Sequence, residues 1–175
     1  RNSSIARSYQ PVGILTHDWK ITPQTSLITA ASYTTGYRSV TGLDWYNAAD
    51  PRPDYYRYLP SYFDDSTLKA GVYQNLLNDV NSRQVNWDAL YNANYSNISS
   101  VANANGVPGY TVTGRRSVYI LEERVTSTKR FNFNTTYNTH VNKNVDMAAG
   151  FTYEWQRNNY YKRVEDLLGG NFYVD

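Results

Sequence analysis

The fold is decided by residues 131–156, where apolar and polar side chains alternate on either side of one short polar turn. The first run reads Phe131-Asn132-Phe133-Asn134-Thr135-Thr136-Tyr137-Asn138-Thr139-His140-Val141. After Asn142-Lys143-Asn144, the second run reads Val145-Asp146-Met147-Ala148-Ala149-Gly150-Phe151-Thr152-Tyr153-Glu154-Trp155-Gln156. Successive side chains of a strand point to opposite faces, so each run has one apolar and one polar face. Runs of about ten residues with aromatic residues near their ends predict a hairpin of a transmembrane β-barrel. A soluble β-sandwich shows the same alternation.

The composition is unusual for a soluble domain of this size. The 175 residues include 18 Tyr, 4 Trp and 5 Phe, yet the mean hydropathy is −0.65 and only 18% of residues are charged. Such chains suit barrels with polar lumens and aromatic girdles, or surfaces that bind sugars and peptides. A net charge of +2 without a basic run argues against a nucleic-acid partner. Cysteine is absent, which excludes disulfides and thiolate metal sites.

The chain shows neither a membrane helix nor a leader in its sequence. No stretch approaches the roughly 18 consecutive apolar residues of a membrane-spanning helix. The opening Arg1-Asn2-Ser3-Ser4 is neither an initiator methionine nor a signal peptide. We therefore expect this chain to be an internal piece of a longer polypeptide.

Alternation elsewhere predicts two further strands before the long middle segment and one after it. We expect strands at about residues 6–19, 26–38, 118–137 and 145–157, with Pro11 and Gly13 placing an edge or bulge in the first. Residues 39–115 lose the alternation and form one long loop. Within it, Asp65 or Ser66 can cap a helix, and a weaker helical pattern follows near residue 87. A new loop is expected over residues 158–175.

The predicted fold class is therefore all-β, with antiparallel strands of one large transmembrane barrel domain across residues 1–175. Short turns on one side and long loops on the other are typical of outer-membrane barrels, whose short turns face the periplasm. Four strands cannot close a barrel in lipid without leaving backbone groups unsatisfied. Further strands must come from the rest of the polypeptide or from other copies.

Three segments resemble a known family: residues 8–19, residues 42–62 and residues 164–175. The most specific string is Asp50-Pro51-Arg52-Pro53-Asp54-Tyr55-Tyr56-Arg57. Together they resemble the barrel region of TonB-dependent outer-membrane receptors of the Bacteroidetes type, particularly those with a carboxypeptidase-regulatory-like N-terminal domain. The resemblance spans most of the chain and is weakest between about residues 67 and 115.

The resemblance implies a barrel of about twenty-two strands that is filled by a plug. It also implies the outer membrane of a Gram-negative bacterium, import of bulky nutrients, and energy delivered by TonB from the inner membrane. Neither the plug nor a TonB-contacting box lies in these residues. The expected partners are the lipid bilayer, TonB through other parts of the chain, and a surface lipoprotein or other outer-membrane subunits.

Two candidate sites lie in the long loop. Asp44, Asp50 and Asp54 are candidate Ca²⁺ ligands, because hard cations take several oxygen ligands. Their spacing matches no EF-hand, and pairing of Arg52 or Arg57 with these carboxylates is the favoured interpretation. The second candidate site is a contact surface for a ligand or partner: Trp45, Tyr46, Tyr55, Tyr56 and Tyr58. These aromatic residues either stack on a substrate or clamp the loop onto the barrel, and the clamp is favoured.

No catalytic constellation emerges, so we expect no enzymatic activity. Glu122 and Glu123 are adjacent on a predicted strand and point to opposite faces, which prevents them from acting on one bond. His17 and His140 are the only histidines, and His140 is expected to face the lumen. Two other functions stay open: a soluble, secreted, all-β carbohydrate-binding module, and a self-assembling barrel with four strands per chain.

Overall fold

The computed structural model describes residues 2–174 and is mostly antiparallel β-sheet, with 54% strand and 20% helix. The all-β class predicted from the sequence is therefore confirmed. The chain divides into two compact units. The sheet unit comprises Ile5–Val40 and Arg124–Arg163, and the loop unit comprises residues 2–4, Thr41–Glu123 and residues 164–174.

Eight strands and two α-helices are found among residues 2–174. The strands are β1 (Ala6–Tyr9), β2 (Val12–Thr22), β3 (Thr25–Trp45), β4 (Ile98–Val101), β5 (Val112–Ser117), β6 (Tyr119–Asn142), β7 (Val145–Asp166) and β8 (Phe172–Tyr173). The helices are α1 (Ser66–Asn78) and α2 (Trp87–Ser96). Single 3₁₀ turns lie at Tyr56–Tyr58, Pro60–Tyr62, Asn81–Arg83 and Ala104–Gly106.

The larger sheet has the order β1–β3–β6–β7, with β2 also paired to β3. Two-residue turns at residues 23–24 and 143–144 join β2 to β3 and β6 to β7. Both turns lie at one end of the sheet, since the backbone N–H of His140 donates to the carbonyl of Gln24 (3.0 Å). The sheet is open: among the described residues, β1 and β2 form one edge and β7 forms the other.

The single first strand predicted over residues 6–19 is wrong, because Gln10 and Pro11 interrupt it. β1 and β2 both pair with β3, the former opposite residues 37–40 and the latter opposite residues 25–34. Between these stretches lies Gly36, where an added Cβ would overlap the carbonyl oxygen of Tyr9. Proline has no backbone N–H to donate to a strand ladder, which explains why the break between β1 and β2 falls at Pro11.

Three strands extend beyond their predicted ends. β3 continues to Trp45 instead of stopping near residue 38, β6 continues to Asn142, and β7 runs to Asp166 through residues predicted to be a loop. The residues of β3 after Val40 are buried or half-buried at every position, and so are residues 119–123 of β6. A strand that is covered on both faces has no reason to alternate, which explains why the predicted strand stops short of residues 41–45.

The predicted long loop over residues 39–115 is a folded unit with its own helices and a second sheet. Asp65 caps α1 by accepting hydrogen bonds from the backbone N–H groups of Thr67 (2.8 Å) and Leu68 (2.9 Å), as the sequence indicated. Asn86 caps α2 by accepting from the N–H of Ala89 (3.0 Å). The second sheet has the order β4–β5–β8, in which β5 and β8 are parallel. No helix among residues 2–174 is long and apolar enough to cross a membrane.

The core of the loop unit forms around α2. Leu90, Tyr119 and Leu168 are buried together. The partly buried hydrophobic residues packed against them are Leu43, Trp45, Ala48, Val85, Trp87, Tyr91, Ala93 and Val118. Residues far apart in sequence therefore meet in one small core.

Candidate functional site

The segment at residues 44–58 is organised by an ion pair. Arg52 donates from Nε and Nη2 to the carboxylate of Asp50, at 2.9 and 2.5 Å, and its backbone N–H donates to the same carboxylate (2.9 Å). The guanidinium lies over the ring of Trp45 at 5.2 Å from the ring centroid. The side-chain hydrogen bond from Arg52 holds the pKa of Asp50 below its ordinary value of 3.8. This arrangement matches the pairing that the sequence favoured.

The candidate Ca²⁺ ligands do not converge. Among residues 2–174, no group of three or more His, Cys, Asp or Glu side chains is placed to hold a metal ion. The carboxylate of Asp50 already accepts from Arg52, and Asp44 Oδ1 accepts from the backbone N–H of Trp45 (3.0 Å). Asp44, Asp50 and Asp54 together therefore give no support to the calcium hypothesis.

Five aromatic residues on either side of Pro60 in the sequence form an aromatic cluster. Its members are Tyr55, Tyr56, Tyr58, Tyr62 and Phe63. Neighbouring rings meet edge to face, with centroids 4.8 Å apart for Tyr55 and Tyr56 and 5.3 Å apart for Tyr55 and Tyr58. Such geometry is favourable for aromatic pairs. The cluster is therefore held by its own contacts while Tyr56, Tyr58 and Tyr62 stay exposed.

The other two aromatic candidates lie outside this cluster. Trp45 packs against the core of the loop unit, and Arg52 covers its ring. Tyr46 is exposed, and the guanidinium of Arg116 lies 5.4 Å from its ring centroid. Within the aromatic cluster, the hydroxyl of Tyr58 donates a hydrogen bond to the carbonyl of Asp50 (3.0 Å). Of the five predicted contact residues, three therefore share the aromatic cluster, whereas Trp45 packs on the core and Tyr46 lies apart beside Arg116.

Strand pairing and side-chain contacts show on which of the two faces of the sheet unit each side chain lies. Pairing of β2 with β3 places Leu15 opposite Ala31 and Trp19 opposite Leu27. The hydroxyls of Thr29 and Thr135 are 3.0 Å apart, which places odd-numbered residues of β3 and β6 on one face. This apolar face includes Tyr9, Leu15, Trp19, Leu27, Ala31, Tyr33, Tyr37, Phe131, Phe133, Tyr137, Met147, Phe151, Tyr153 and Trp155.

The opposite face is polar and cross-linked by hydrogen bonds. Asn132 donates to the hydroxyl of Ser32 (3.3 Å), and Asn134 donates to the hydroxyl of Thr152 (2.8 Å). His140 Nδ1 is paired with the carboxylate of Asp146. Val12, Ile14 and Ile28 are apolar side chains that also lie on this face. His140 therefore lies on the polar face, as its parity indicated.

Among residues 2–174, most large apolar side chains of the apolar face are exposed or half-buried. Leu15 is 73% exposed and Phe151 is 58% exposed, and Val125 is the one buried hydrophobic residue described in the sheet unit. Soluble monomers seldom leave apolar patches larger than a few hundred Å² in water. This exposed apolar face is therefore a candidate contact surface of the sheet unit.

Glu122 and Glu123 of β6 are 2% and 1% exposed. Both side chains have interaction partners in the fold. The sequence did not predict their burial. Nothing in the strand pattern around this acidic pair indicates that both faces of the strand are covered.

No protein-family model matches the chain, and no curated protein matches it significantly.

The sequence did not predict the residues that organise the loop unit, above all Asn94, Arg115 and Arg116. Arg116 contacts Tyr46, and the guanidinium of Arg115 lies 4.9 Å from the ring centroid of Tyr95. No sequence pattern predicts either contact, because the two residues of each pair are far apart in the chain and only folding brings them together.

Proposed function

We propose that this chain is a segment of an outer-membrane β-barrel of the TonB-dependent receptor kind, which takes part in energised uptake of a nutrient. The observation that supports it is the two-faced sheet, with an exposed apolar face on one side and a hydrogen-bonded polar face on the other. Transmembrane barrels have this arrangement, because lipid covers the outside and water or a plug fills the inside. The apolar face would then contact acyl chains, and the polar face would line the lumen.

The open edges of the sheet fit the same proposal. In hydrocarbon, each unpaired backbone N–H or carbonyl costs several kcal/mol, so β2 and β7 need neighbours. Further strands of the parent polypeptide, or strands from other copies, would supply them. A plug and a TonB-contacting segment would likewise lie outside these residues.

The two short turns give the proposed orientation. With residues 23–24 and 143–144 in the periplasm, the long segment between β3 and β6 belongs to the extracellular side. Its exposed aromatic cluster would contribute to a substrate vestibule or to the contact with a surface lipoprotein or another outer-membrane subunit. We propose no catalytic role for this chain.

The decisive experiment is the mass and gel mobility of the native gene product, extracted from outer membranes. A polypeptide several times larger than 20.1 kDa, with a mobility that shifts on boiling, is the expected result. A 20.1 kDa protein that is found in the soluble fraction and shows no shift would overturn the proposal.

The second candidate is a secreted carbohydrate-binding module, which the exposed aromatic cluster favours. It requires this chain to be a monodisperse monomer without detergent. It also requires a sugar affinity that falls when Tyr56 is replaced by serine, because stacking needs the exposed ring. Aggregation of the isolated chain without detergent would favour the barrel instead.

A further inference from the structure

The charged side chains of the sheet unit are distributed unequally between its two faces. Its three carboxylates, on Asp18, Asp146 and Glu154, all lie on the polar face, as their pairing with Ile28, His140 and Arg130 shows. The apolar face carries no carboxylate within Ile5–Val40 and Arg124–Arg163, yet it carries cations, including Lys129 and Arg157.

Lys129 and Arg157 lie side by side on the apolar face. Arg130 Nε donates to Gln156 Oε1 (2.9 Å) on the polar face, so the residues next to this pair lie at the same level of the sheet. Because neighbouring side chains alternate, Lys129 and Arg157 both point to the apolar face, as Phe131 and Tyr153 do.

The two cations mark the end of the apolar band. Along β7, the odd-numbered positions run from Val145 through Trp155 without a charge, and Arg157 follows. A membrane-crossing strand needs about 9–11 residues, and aromatic residues mark the interface at its ends. The length from the turn to Trp155 therefore suits one bilayer crossing, with Lys129 and Arg157 at headgroup level.

We propose that Lys129 and Arg157 bind the phosphate of anionic lipid headgroups in the leaflet away from the two short turns. The inference rests on the proposed membrane location and adds a lipid preference to it. Both side chains are exposed, and neither has a carboxylate partner among residues 2–174. Arg130, one position away, contacts Gln156 and Glu154 (3.7 Å) on the other face. The contrast leaves Lys129 and Arg157 available to an external anion.

The test is native mass spectrometry of the full-length gene product in neutral detergent, titrated with phosphatidylglycerol or phosphatidylcholine. Each surface cation contributes roughly fivefold to binding of an anionic lipid, so Lys129→Gln with Arg157→Gln should weaken phosphatidylglycerol binding roughly thirtyfold at one site. Phosphatidylcholine binding should not change. Arg130→Gln is the matched control and should leave the lipid preference intact, while Lys129→Arg with Arg157→Lys should retain it.

Three results would overturn the inference. One is equal phosphatidylglycerol binding by the wild type and the double glutamine variant, and another is its loss in the charge-retaining variant. The third is inorganic phosphate bound as tightly as the lipid, which would indicate a site for a soluble anion. Insertion into phosphatidylcholine vesicles, followed by heat-modifiable mobility, separates the two proposals. Insertion without a lipid preference rejects this site alone, whereas failure to insert rejects the membrane location.

Discussion

Asn94 and Tyr119 bind each other through two hydrogen bonds although they are 25 positions apart. The side-chain amide of Asn94 donates to the carbonyl of Tyr119 (2.8 Å), and its Oδ1 accepts from the N–H of Tyr119 (3.1 Å). The same amide donates to the carbonyls of Leu167 and Leu168, both at 3.0 Å. Asn94 is fully buried, so one side chain connects α2, the start of β6 and the segment after β7.

Replacing this asparagine should open the loop unit. In Asn94→Ala, buried backbone groups of Tyr119 and Leu168 lose their partner, and each unsatisfied group costs about 1–3 kcal/mol. We expect a loss of about 3 kcal/mol in the free energy of opening, which is roughly a hundredfold faster cleavage in limited proteolysis. Asn92→Ala is the control, because Asn92 is exposed on the same helix. Equal cleavage rates for the two variants would contradict this role.

The pair of Asp50 and Arg52 predicts a stability that depends on acidity. The pKa of folded Asp50 lies below 3.8, chiefly through the hydrogen bond from Arg52. The stabilisation is therefore complete above the unfolded value of 3.8 and is lost as the pH falls through the lower folded value. Because Arg52 is half exposed, solvent screening limits the effect to less than about 1 kcal/mol.

Asp50→Asn tests this effect by thermal unfolding of the loop unit at two pH values. The variant should be less stable than the wild type at neutral pH, and the difference should shrink well below pH 3.8. Asp64→Asn is the control, since Asp64 is exposed and takes no part in the ion pair. A difference that persists unchanged in acid would show that the ion pair is not its cause.

The sheet could be predicted from sequence wherever one face is apolar and the other polar. The hairpin of β6 and β7 could be predicted because residues 131–141 and 145–156 alternate on either side of one polar turn. The predicted strand over residues 118–137 includes the buried residues 119–123, but the same rule misses the end of β3, where both faces are covered and polarity no longer alternates. Alternation therefore predicts the strands of the sheet unit but not where β3, β6 and β7 end.

The candidate site was predictable only in its local part. The pair of Asp50 and Arg52 is two positions apart and was readable, as was the cap of α1 by Asp65. The contact of Arg116 with Tyr46 and the hydrogen bonds of Asn94 join residues that only folding brings together. Asparagine is common in this chain, so nothing in the sequence marks Asn94 as the buried one.

Gly36 should be intolerant of any side chain. Its φ is 155°, and an added Cβ would overlap the carbonyl oxygen of Tyr9. Gly36→Ala must therefore displace β1 from β3, at an expected cost of about 2 kcal/mol or more. The measurement is the fraction of heat-modifiable protein after refolding into detergent. Gly13→Ala is the matched control, because nothing lies within 4 Å of its added Cβ. Equal sensitivity at both glycines would contradict the close approach.

Phe151 and Thr152 provide the sharpest test of the membrane proposal, because they are adjacent and lie on opposite faces. Phe151 contacts Phe133 on the apolar face, and Thr152 accepts from Asn134 on the polar face. An arginine near the middle of a lipid-facing band costs about 2–4 kcal/mol, whereas one in a watery lumen costs much less. Phe151→Arg should therefore abolish most insertion into phosphatidylcholine vesicles, while Thr152→Arg should insert nearly as well as the wild type. In a soluble sandwich the apolar face would instead be covered by protein, and insertion would fail for the wild type as well. Equal insertion of both variants would mean that lipid does not cover the apolar face.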